Sequence, residues 1–202
     1  MKKEGILLII SGPSGSGKGT VVSKLIEKGD FCLSISATTR QPRDYETDGV
    51  HYFFHTKEEF EDMRDKGELL EWASFCDNYY GTPKAYVEKC LKEGKNVILE
   101  IEVQGAFQVK KLMPESVLVF LMAPNVTELR NRLNGRGTEA SDVIEKRVAR
   151  AMEEMELVSE YDYVIINDTV EKAEKAVRTI VSAESMKTSR NRDINKVFKG
   201  EI

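Results

Sequence analysis

The sequence of 202 residues has no apolar run long enough to cross a membrane. A spanning helix needs roughly 18–20 unbroken apolar residues, whereas the first apolar run covers only residues 6–10 and leads into a glycine-rich loop. Lys2 and Lys3 precede this run, but it is too short for the apolar region of a secretory signal peptide. We therefore expect a cytoplasmic protein without a membrane partner.

Cysteine and histidine are scarce. The three cysteines, Cys32, Cys76 and Cys90, form no Cys-x-x-Cys pair, and their odd number leaves at least one thiol outside any disulfide. This usage is typical of reduced thiols in a cytoplasmic protein. His51 and His55 are two further residues that could bind a metal, but the cysteines and histidines show none of the residue spacings typical of a zinc site.

An excess of positive charge is also missing. Lys and Arg number 30 against 34 Asp and Glu, which gives a formal net charge of −4. Nucleic-acid-binding domains usually carry a basic excess, so we expect no nucleic-acid partner. The composition, 41% hydrophobic and 32% charged, is that of a folded globular chain. An anion site in this protein must therefore be built locally.

Four strand-sized apolar runs, rich in β-branched residues, predict a parallel sheet. They lack the alternation of a sheet with one solvated face, so we expect each to be buried on both faces. The runs cover residues 6–10, 97–101, 117–122 and 163–166. Helical patterns alternate with them, over residues 18–28, 126–136, 142–160 and 170–186. The alternation predicts an α/β fold with helices flanking the sheet.

The segment from about Ser34 to Gly94 interrupts this alternation. Residues 52–54 and 69–75 predict short strands, and Thr56 with Glu59 predicts a helix opened by a capping box. A second helix is predicted to begin at Thr82-Pro83, with proline at the first helical position. We interpret the segment as a small mixed α/β insert on the core.

A glycine-rich loop lies between the first predicted strand and the first helix. This is the context in which a G-x-x-x-x-G-K pattern forms a phosphate loop. Glycines allow successive backbone N–H groups to turn inward at a helix N-terminus, and Lys18 adds a positive charge for the β- and γ-phosphates. The loop reads Gly12, Pro13, Ser14, Gly15, Ser16, Gly17, Lys18, Gly19, Thr20.

One position departs from the usual loop. Gly19 follows the lysine, where many such loops carry the Ser or Thr that binds Mg²⁺. Either Thr20 serves instead, or the metal is held through waters and phosphate oxygens.

Two groups of charged residues outside this loop are candidates for a site. Glu100 and Glu102 are two apart at the end of a predicted strand, so we expect them to project from the same face. Arg132 and Arg136 are four apart on a predicted helix, where a bound polyphosphate would relieve their repulsion. Arg147 lies beside the apolar stripe of the next helix. The alternative for each is a solvated surface charge.

Together these motifs resemble the guanylate kinases of the nucleoside monophosphate kinase family of P-loop proteins. The resemblance covers roughly residues 5–185. Besides the phosphate loop it is carried by Ser36-Ala-Thr-Thr-Arg40-Gln-Pro-Arg43, Glu71-Trp72, Asn78-Tyr79-Tyr80-Gly81-Thr82, Glu100-Ile-Glu102-Val-Gln-Gly105, Arg132-Leu-Asn-Gly-Arg136-Gly-Thr and Val164-Ile-Ile-Asn167-Asp168.

The resemblance implies Mg²⁺-dependent transfer of the γ-phosphoryl group of ATP to GMP, and also to dGMP, in purine nucleotide metabolism. It implies one guanylate kinase-like domain, with a core of residues 1–33, 95–124 and 161–187. A GMP-binding insert would cover residues 34–94, a lid region 125–160 and a C-terminal tail 188–202.

The resemblance also implies the roles of individual residues. GMP would be bound by Ser36, Arg40, Arg43, Tyr52, Glu71, Tyr80, Thr82 and Glu102. The two arginines and two tyrosines of this set would hold its phosphate, Glu71 and Glu102 would read guanine, and Ser36 and Thr82 would reach O6. ATP would be bound by residues 12–20 with Arg136 and Asn167. The catalytic cations would be Lys18, Arg132, Arg136 and Arg147, with Thr20 and Glu100 near the metal.

Three other functions stay open at this point. One is a kinase of the same architecture that acts on another nucleoside monophosphate. Another is a non-catalytic guanylate-kinase-like module that binds proteins, although such modules tend to lose the phosphate loop, which is intact here. A nucleoside triphosphatase switch is the third, but no effector region is visible.

Overall fold

The structure, a computed structural model, describes residues 4–135 and 141–201. Within these ranges the strands are β1 Leu7–Ser11, β2 Phe31–Leu33, β3 Ala37–Thr38, β4 Phe53–Phe54, β5 Leu69–Phe75, β6 Asn78–Pro83, β7 Asn96–Glu100, β8 Val117–Met122 and β9 Tyr163–Ile166. The helices are α1 Lys18–Glu27, α2 Lys57–Asp65, α3 Lys84–Lys92, α4 Val103–Leu112, α5 Val126–Asn134, α6 Ser141–Met155, α7 Val170–Ser185 and α8 Ile194–Phe198.

A five-stranded parallel sheet forms the core, in the order β2-β7-β1-β8-β9. Apolar side chains cover both of its faces. Leu8 and Ile10 of β1 pack with residues of α1 and α7, while Leu7 and Ile9 pack with residues of α3 and α4. The predicted α/β fold with a helix-flanked parallel sheet is therefore confirmed.

The prediction that all four apolar runs are buried on both faces is wrong for β9. Val164 and Ile166 are 55% and 57% exposed, whereas Ile165 between them is buried. The reason is position, because β9 is the edge strand and pairs only with β8. Its alternate side chains face α7 on one side and solvent on the other.

The difference in burial between β1 and β9 predicts that shortening an apolar side chain lowers the free energy of unfolding more in β1 than in β9. Leu8→Ala should lower the free energy of unfolding by roughly 2–5 kcal/mol, because it empties space in a fully buried cluster. Val164→Ala should cost less than about 1 kcal/mol, since its side chain is already largely hydrated. Urea unfolding followed by circular dichroism measures both, and equal losses would contradict this account of the edge strand.

A second, four-stranded sheet in the order β4-β3-β6-β5 forms the insert. The predicted capping box is confirmed, since Thr56 and Glu59 cap α2 reciprocally. The prediction of proline at the first position of the next helix is wrong, because Pro83 ends β6 and is the N-cap of α3. Among the described residues, no helix combines the length and apolarity needed to span a bilayer.

Candidate active site

The predicted phosphate loop lies at the carboxyl end of β1, between β7 and β8. Gly17 is the N-cap of α1 with φ of 90°, a left-handed conformation that favours glycine. A Cβ at Gly17 would also lie 2.5 Å from Nδ2 of Asn167, so no side chain fits there. Gly17 leads directly into α1, and the first backbone N–H groups of a helix have no intrahelical partner and can bind an anion.

Lys18 is folded back over this loop. Its Nζ donates to the carbonyl oxygens of Gly12 at 2.6 Å and Pro13 at 3.2 Å. These bonds hold the ammonium group beside the helix N-terminus, where it adds to the positive potential.

Glu100 lies opposite, at the end of β7. A Cβ at Gly19 would stand 3.6 Å from its Oε1, so the glycine that departs from the usual loop faces this carboxylate. The walls of the cleft desolvate the carboxylate and raise the pKa of Glu100, which the nearby charge of Lys18 opposes. Thr20 is exposed in the first turn of α1.

Two other predicted residues meet the loop through its backbone. Asn167 is buried and donates from Nδ2 to the carbonyl of Ser16 at 2.8 Å. Arg132 lies 3.5 Å from the carbonyl of Ser16, and it donates to the carbonyl of Asn167 at 3.0 Å and to Glu128 at 2.7 Å. Because Glu128 is four residues from Arg132 on α5, it fixes the direction of the guanidinium.

Arg147 of α6 reaches the loop from the other side, where its Nη2 donates to Oγ of Ser14. The fourth predicted cation, Arg136, lies outside the described residues. The structure thus brings Lys18, Arg132 and Arg147 together around one loop.

Protein ligands for a metal are few here. No group of three or more His, Cys, Asp or Glu in the described part of the chain is arranged to hold a metal ion. Mg²⁺ in nucleotide sites usually needs only one or two carboxylates, because substrate phosphates and waters complete its shell. The single carboxylate of Glu100 beside the loop fits that mode of binding.

A buried carboxylate marks a second pocket. Oε1 of Glu71 on β5 accepts a hydrogen bond of 2.7 Å from Oγ1 of Thr82 on β6. Burial raises the pKa of Glu71, and the Thr82 bond opposes the shift. A Cβ at Gly105 of α4 would lie 3.0 Å from Oε2 of Glu71, so glycine gives the carboxylate its space.

A cavity of about 170 Å³ is lined by Thr82, the hydrogen-bond partner of Glu71. It brings together three of the predicted GMP-binding residues, Ser36, Tyr52 and Thr82, with Glu100. Ser34 and His51, which were not among the predicted GMP-binding residues, also line it. The cavity therefore places three predicted GMP-binding residues in one space with Glu100, the carboxylate that faces Gly19.

Arg40 belongs to an aromatic cluster at the edge of that cavity. Its guanidinium lies 5.4 Å from the ring centre of Tyr52. The rings of Tyr52 and Tyr80 pack edge to face at 6.1 Å. The three predicted phosphate-holding residues are therefore neighbours in space.

Glu46 holds Arg40 in place, and sequence reasoning missed it. It accepts from both terminal nitrogens of Arg40, at 2.9 and 2.8 Å, and from the backbone N–H of Arg43. The bonds with Arg40 lower the pKa of Glu46 to about 2. The side chain of Arg43 instead donates to the hydroxyl of Tyr45 at 2.9 Å. The sequence offered one indication of this role, because Glu46 follows Arg40 and Arg43 by only six and three residues.

The prediction that Glu100 and Glu102 project from one face of a strand is wrong. β7 ends at Glu100, and Glu102 is the N-cap residue of α4. The side chain of Glu102 is 69% exposed and accepts from Arg150 of α6 at 3.1 Å. The chain turns into a helix directly after the strand, so the two-residue spacing no longer sets the direction of these side chains.

Known proteins resemble the chain over nearly its full length. The family model described as "Guanylate kinase" matches residues 4–184. A "Guanylate kinase" of Clostridioides difficile (strain 630) is 51% identical over 99% of this chain and 98% of the relative. A "Guanylate kinase" of Bacillus cereus (strain ZK / E33L) is 55% identical over 93% of each. The crystal structure of guanylate kinase from Anaplasma phagocytophilum has a TM-score of 0.72 and 35% identity, covering 94% of this chain and 90% of that one.

Proposed function

The chain belongs to the guanylate kinase family and transfers a phosphoryl group from ATP to GMP, and we propose that the phosphate loop is its ATP site and the Glu71 pocket its GMP site. We propose further that it acts in the cytoplasm on these small molecules, without a nucleic-acid or membrane partner. The proposed division is a core, a GMP-binding insert over residues 34–94 and a lid region over residues 125–160.

The observation that carries the GMP site is the buried carboxylate of Glu71, with Oε1 bonded to Thr82 and Oε2 facing the space beside Gly105. Guanine presents N1–H and a 2-amino group as adjacent donors, which a carboxylate accepts. Adenine offers an N1 acceptor and no 2-amino donor, so it would leave the buried carboxylate unpaired. Ser36 would donate to O6 of the base, Thr82 would reach O6 by turning its one hydroxyl proton from Glu71 to the base, and Glu102 would accept from the 2-amino group.

The phosphate of GMP would lie against Arg40, Tyr52 and Tyr80. Arginine binds phosphate oxygens with two parallel bonds, and phenol hydroxyls donate without adding charge. Arg43 is proposed to join them, by turning from Tyr45 to the phosphate when GMP is present.

The mechanism needs no covalent intermediate on the protein. An oxygen of the GMP phosphate attacks the γ-phosphorus of ATP in line. The bond between the γ-phosphorus and the bridging oxygen of the β-phosphate breaks, and that oxygen leaves with ADP. The products GDP and ADP are then released. Catalysis is then positioning and neutralisation of charge. Lys18, Arg132 and Arg147 supply positive charge around the loop, and Arg136 is proposed as a further cation and ATP contact. Asn167 is proposed to contact adenine.

Mg²⁺ is the proposed cofactor, and it would neutralise charge on the triphosphate. Glu100 would hold it, in part through water, because its carboxylate faces the loop beside Gly19. The exposed hydroxyl of Thr20 is the second proposed ligand, one residue later than in the usual loop.

An acceptor screen tests the assignment. ADP release is followed by a coupled assay with GMP, dGMP, AMP, CMP or UMP, each with and without a chelator in excess of Mg²⁺. We expect turnover with GMP and dGMP alone, and none with the chelator. Turnover with AMP at a comparable rate would contradict a guanine pocket at Glu71, and full activity under chelation would contradict the metal.

Removing the charge of Glu46 should weaken GMP binding in particular. Glu46→Gln loses one of the two bonds that fix Arg40, so the KM for GMP should rise roughly three- to tenfold. The KM for ATP should stay within about twofold, because Glu46 lies in the insert, away from the phosphate loop. Steady-state kinetics with each substrate varied in turn measures both, and a lower KM for GMP would mean that Glu46 competes with the phosphate.

A further inference from the structure

The first turn of α4 stands beside the buried carboxylate of the GMP site. Gly105 leaves room for Oε2 of Glu71, and Glu102 begins the same turn as the N-cap residue. The side chain of Glu102 makes no capping bond to its own helix. Its Oε2 accepts instead from Nη2 of Arg150, a residue of α6. The direction of Glu102 is therefore set from outside its own helix.

Arg150 is itself held at a second point. Its Nε donates to Oε1 of Glu154, one turn further along α6, at 3.1 Å. The side chain of Glu154 is only 12% exposed, whereas those of Arg150 and Glu102 are 65% and 69% exposed. A mostly buried partner restricts the guanidinium, so less side-chain entropy is lost when its other end binds Glu102.

The charges around this bridge favour the same arrangement. Burial and the negative charge of Glu102 both raise the pKa of Glu154, while Arg150 and the more distant Lys18 oppose the shift. Without Arg150, the charges of Glu102 and Glu154 would repel each other, and the exposed Glu102 would be free to turn to solvent.

Helix α6 contacts both the phosphate loop and Glu102. Arg147, one turn before Arg150, donates to Ser14 of the phosphate loop. Residues three apart on a helix share a face, so one face of α6 contacts the phosphate loop through Arg147 and Glu102 through Arg150.

We propose that Arg150 is a positioning residue for substrate selection, which directs Glu102 so that its remaining oxygen accepts the 2-amino group of guanine. The inference rests on the proposed function of Glu71 and Glu102 as base-reading residues. Arg150 does not touch the substrate in this account. Its bonds to Glu154 and Glu102 use the planar fork of the guanidinium, which a lysine cannot reproduce.

The test compares GMP with inosine monophosphate, whose base has the same N1–H and O6 but lacks the 2-amino group. Arg150→Met should raise the KM for GMP about three- to tenfold, with kcat and the KM for ATP within about twofold. The kcat/KM for inosine monophosphate should not change, so the preference for GMP falls by the same factor. Arg150→Lys should recover only part of it. Equal losses with both nucleotides would reduce Arg150 to a structural role and overturn the inference.

Two further variants separate the possible failures. Arg130→Met breaks another ion pair between an arginine and a glutamate, with Glu145 of α6, and it should leave the preference for GMP unchanged. Glu102→Gln should lower the preference, and adding Arg150→Met to it should have no further effect. If Glu102→Gln has no effect, the proposed role of Glu102 is wrong. If it lowers the preference and Arg150→Met does not, only the present inference is wrong.

Discussion

Replacing Lys18 by methionine is expected to reduce kcat by at least about 10³-fold while the protein remains folded. The ammonium group is held 2.6 and 3.2 Å from two loop carbonyls, where the charge developing on the transferred phosphoryl group would be closest to it. Methionine keeps the length of the side chain and removes only the charge and the donors.

Lys24→Met is the matched control for this variant. Lys24 lies on the same helix, α1, and its side chain is exposed and pairs only loosely with Glu27, at 3.7 Å. We expect its kcat within about twofold of the original enzyme, since exposed ion pairs contribute little. Both variants should show the same circular dichroism spectrum. A folded Lys18→Met enzyme with turnover within about tenfold of the original would contradict the assignment of this loop as the ATP site.

Replacing Glu71 by glutamine should lower kcat/KM for GMP by about 10²–10⁴-fold. The amide keeps the shape of the carboxylate and one acceptor oxygen, which Thr82 already occupies in the ligand-free pocket. Its NH₂ group would then face the donors of guanine, so two favourable hydrogen bonds become one or none. The KM for ATP should change less than about threefold, because the phosphate loop is untouched.

Without ligand, the stability of Glu71→Gln relative to the original protein should increase as the pH rises. Burial raises the pKa of Glu71 in the folded state, so the folded protein binds more protons than the unfolded chain above the ordinary pKa of about 4.3. The stability that protonated Glu71 contributes is complete below that pH and is lost as the pH rises through the raised pKa. Glutamine does not titrate, so the variant avoids this loss.

Urea unfolding of both proteins at pH 4 and pH 8 measures that difference. We expect the stability of Glu71→Gln relative to the original protein to be greater at pH 8.

A variant that loses GMP selectivity without losing stability separates a binding role from a folding role. An unchanged preference for GMP over AMP in a stable variant would contradict the base-reading role of Glu71.

Features that depend on consecutive residues were predictable. The phosphate loop needs glycines, a lysine and a flanking strand and helix within about twenty residues, and its geometry agrees with the prediction at Gly17 and Lys18. The capping box of Thr56 and Glu59 is equally local. The short strands β2 and β3 and the helix α4 were not predicted, because two or three residues carry no periodic signal and α4 contains a glycine.

Features that depend on neighbours distant in the chain were missed or placed wrongly. Nothing in residues 163–166 marks β9 as an edge strand, since that depends on which strands pair with it. The spacing of Glu100 and Glu102 suggested one strand face, but the chain bends into α4 between them. Arg150, which bonds Glu102 across 48 residues, had no sequence signal at all.

The chemistry proposed for this protein follows from its sequence: a loop with the glycines and lysine of a phosphate site, and acidic and basic residues of the types expected to bind GMP. These properties are local, because they arise from backbone freedom and side-chain charge within short stretches. The tertiary structure controls the rest, namely that Glu71 loses its water, that Glu46 directs Arg40, and that α6 reaches Glu102. Desolvation and ion pairing depend on distances in space, and those distances are set only when the chain has folded.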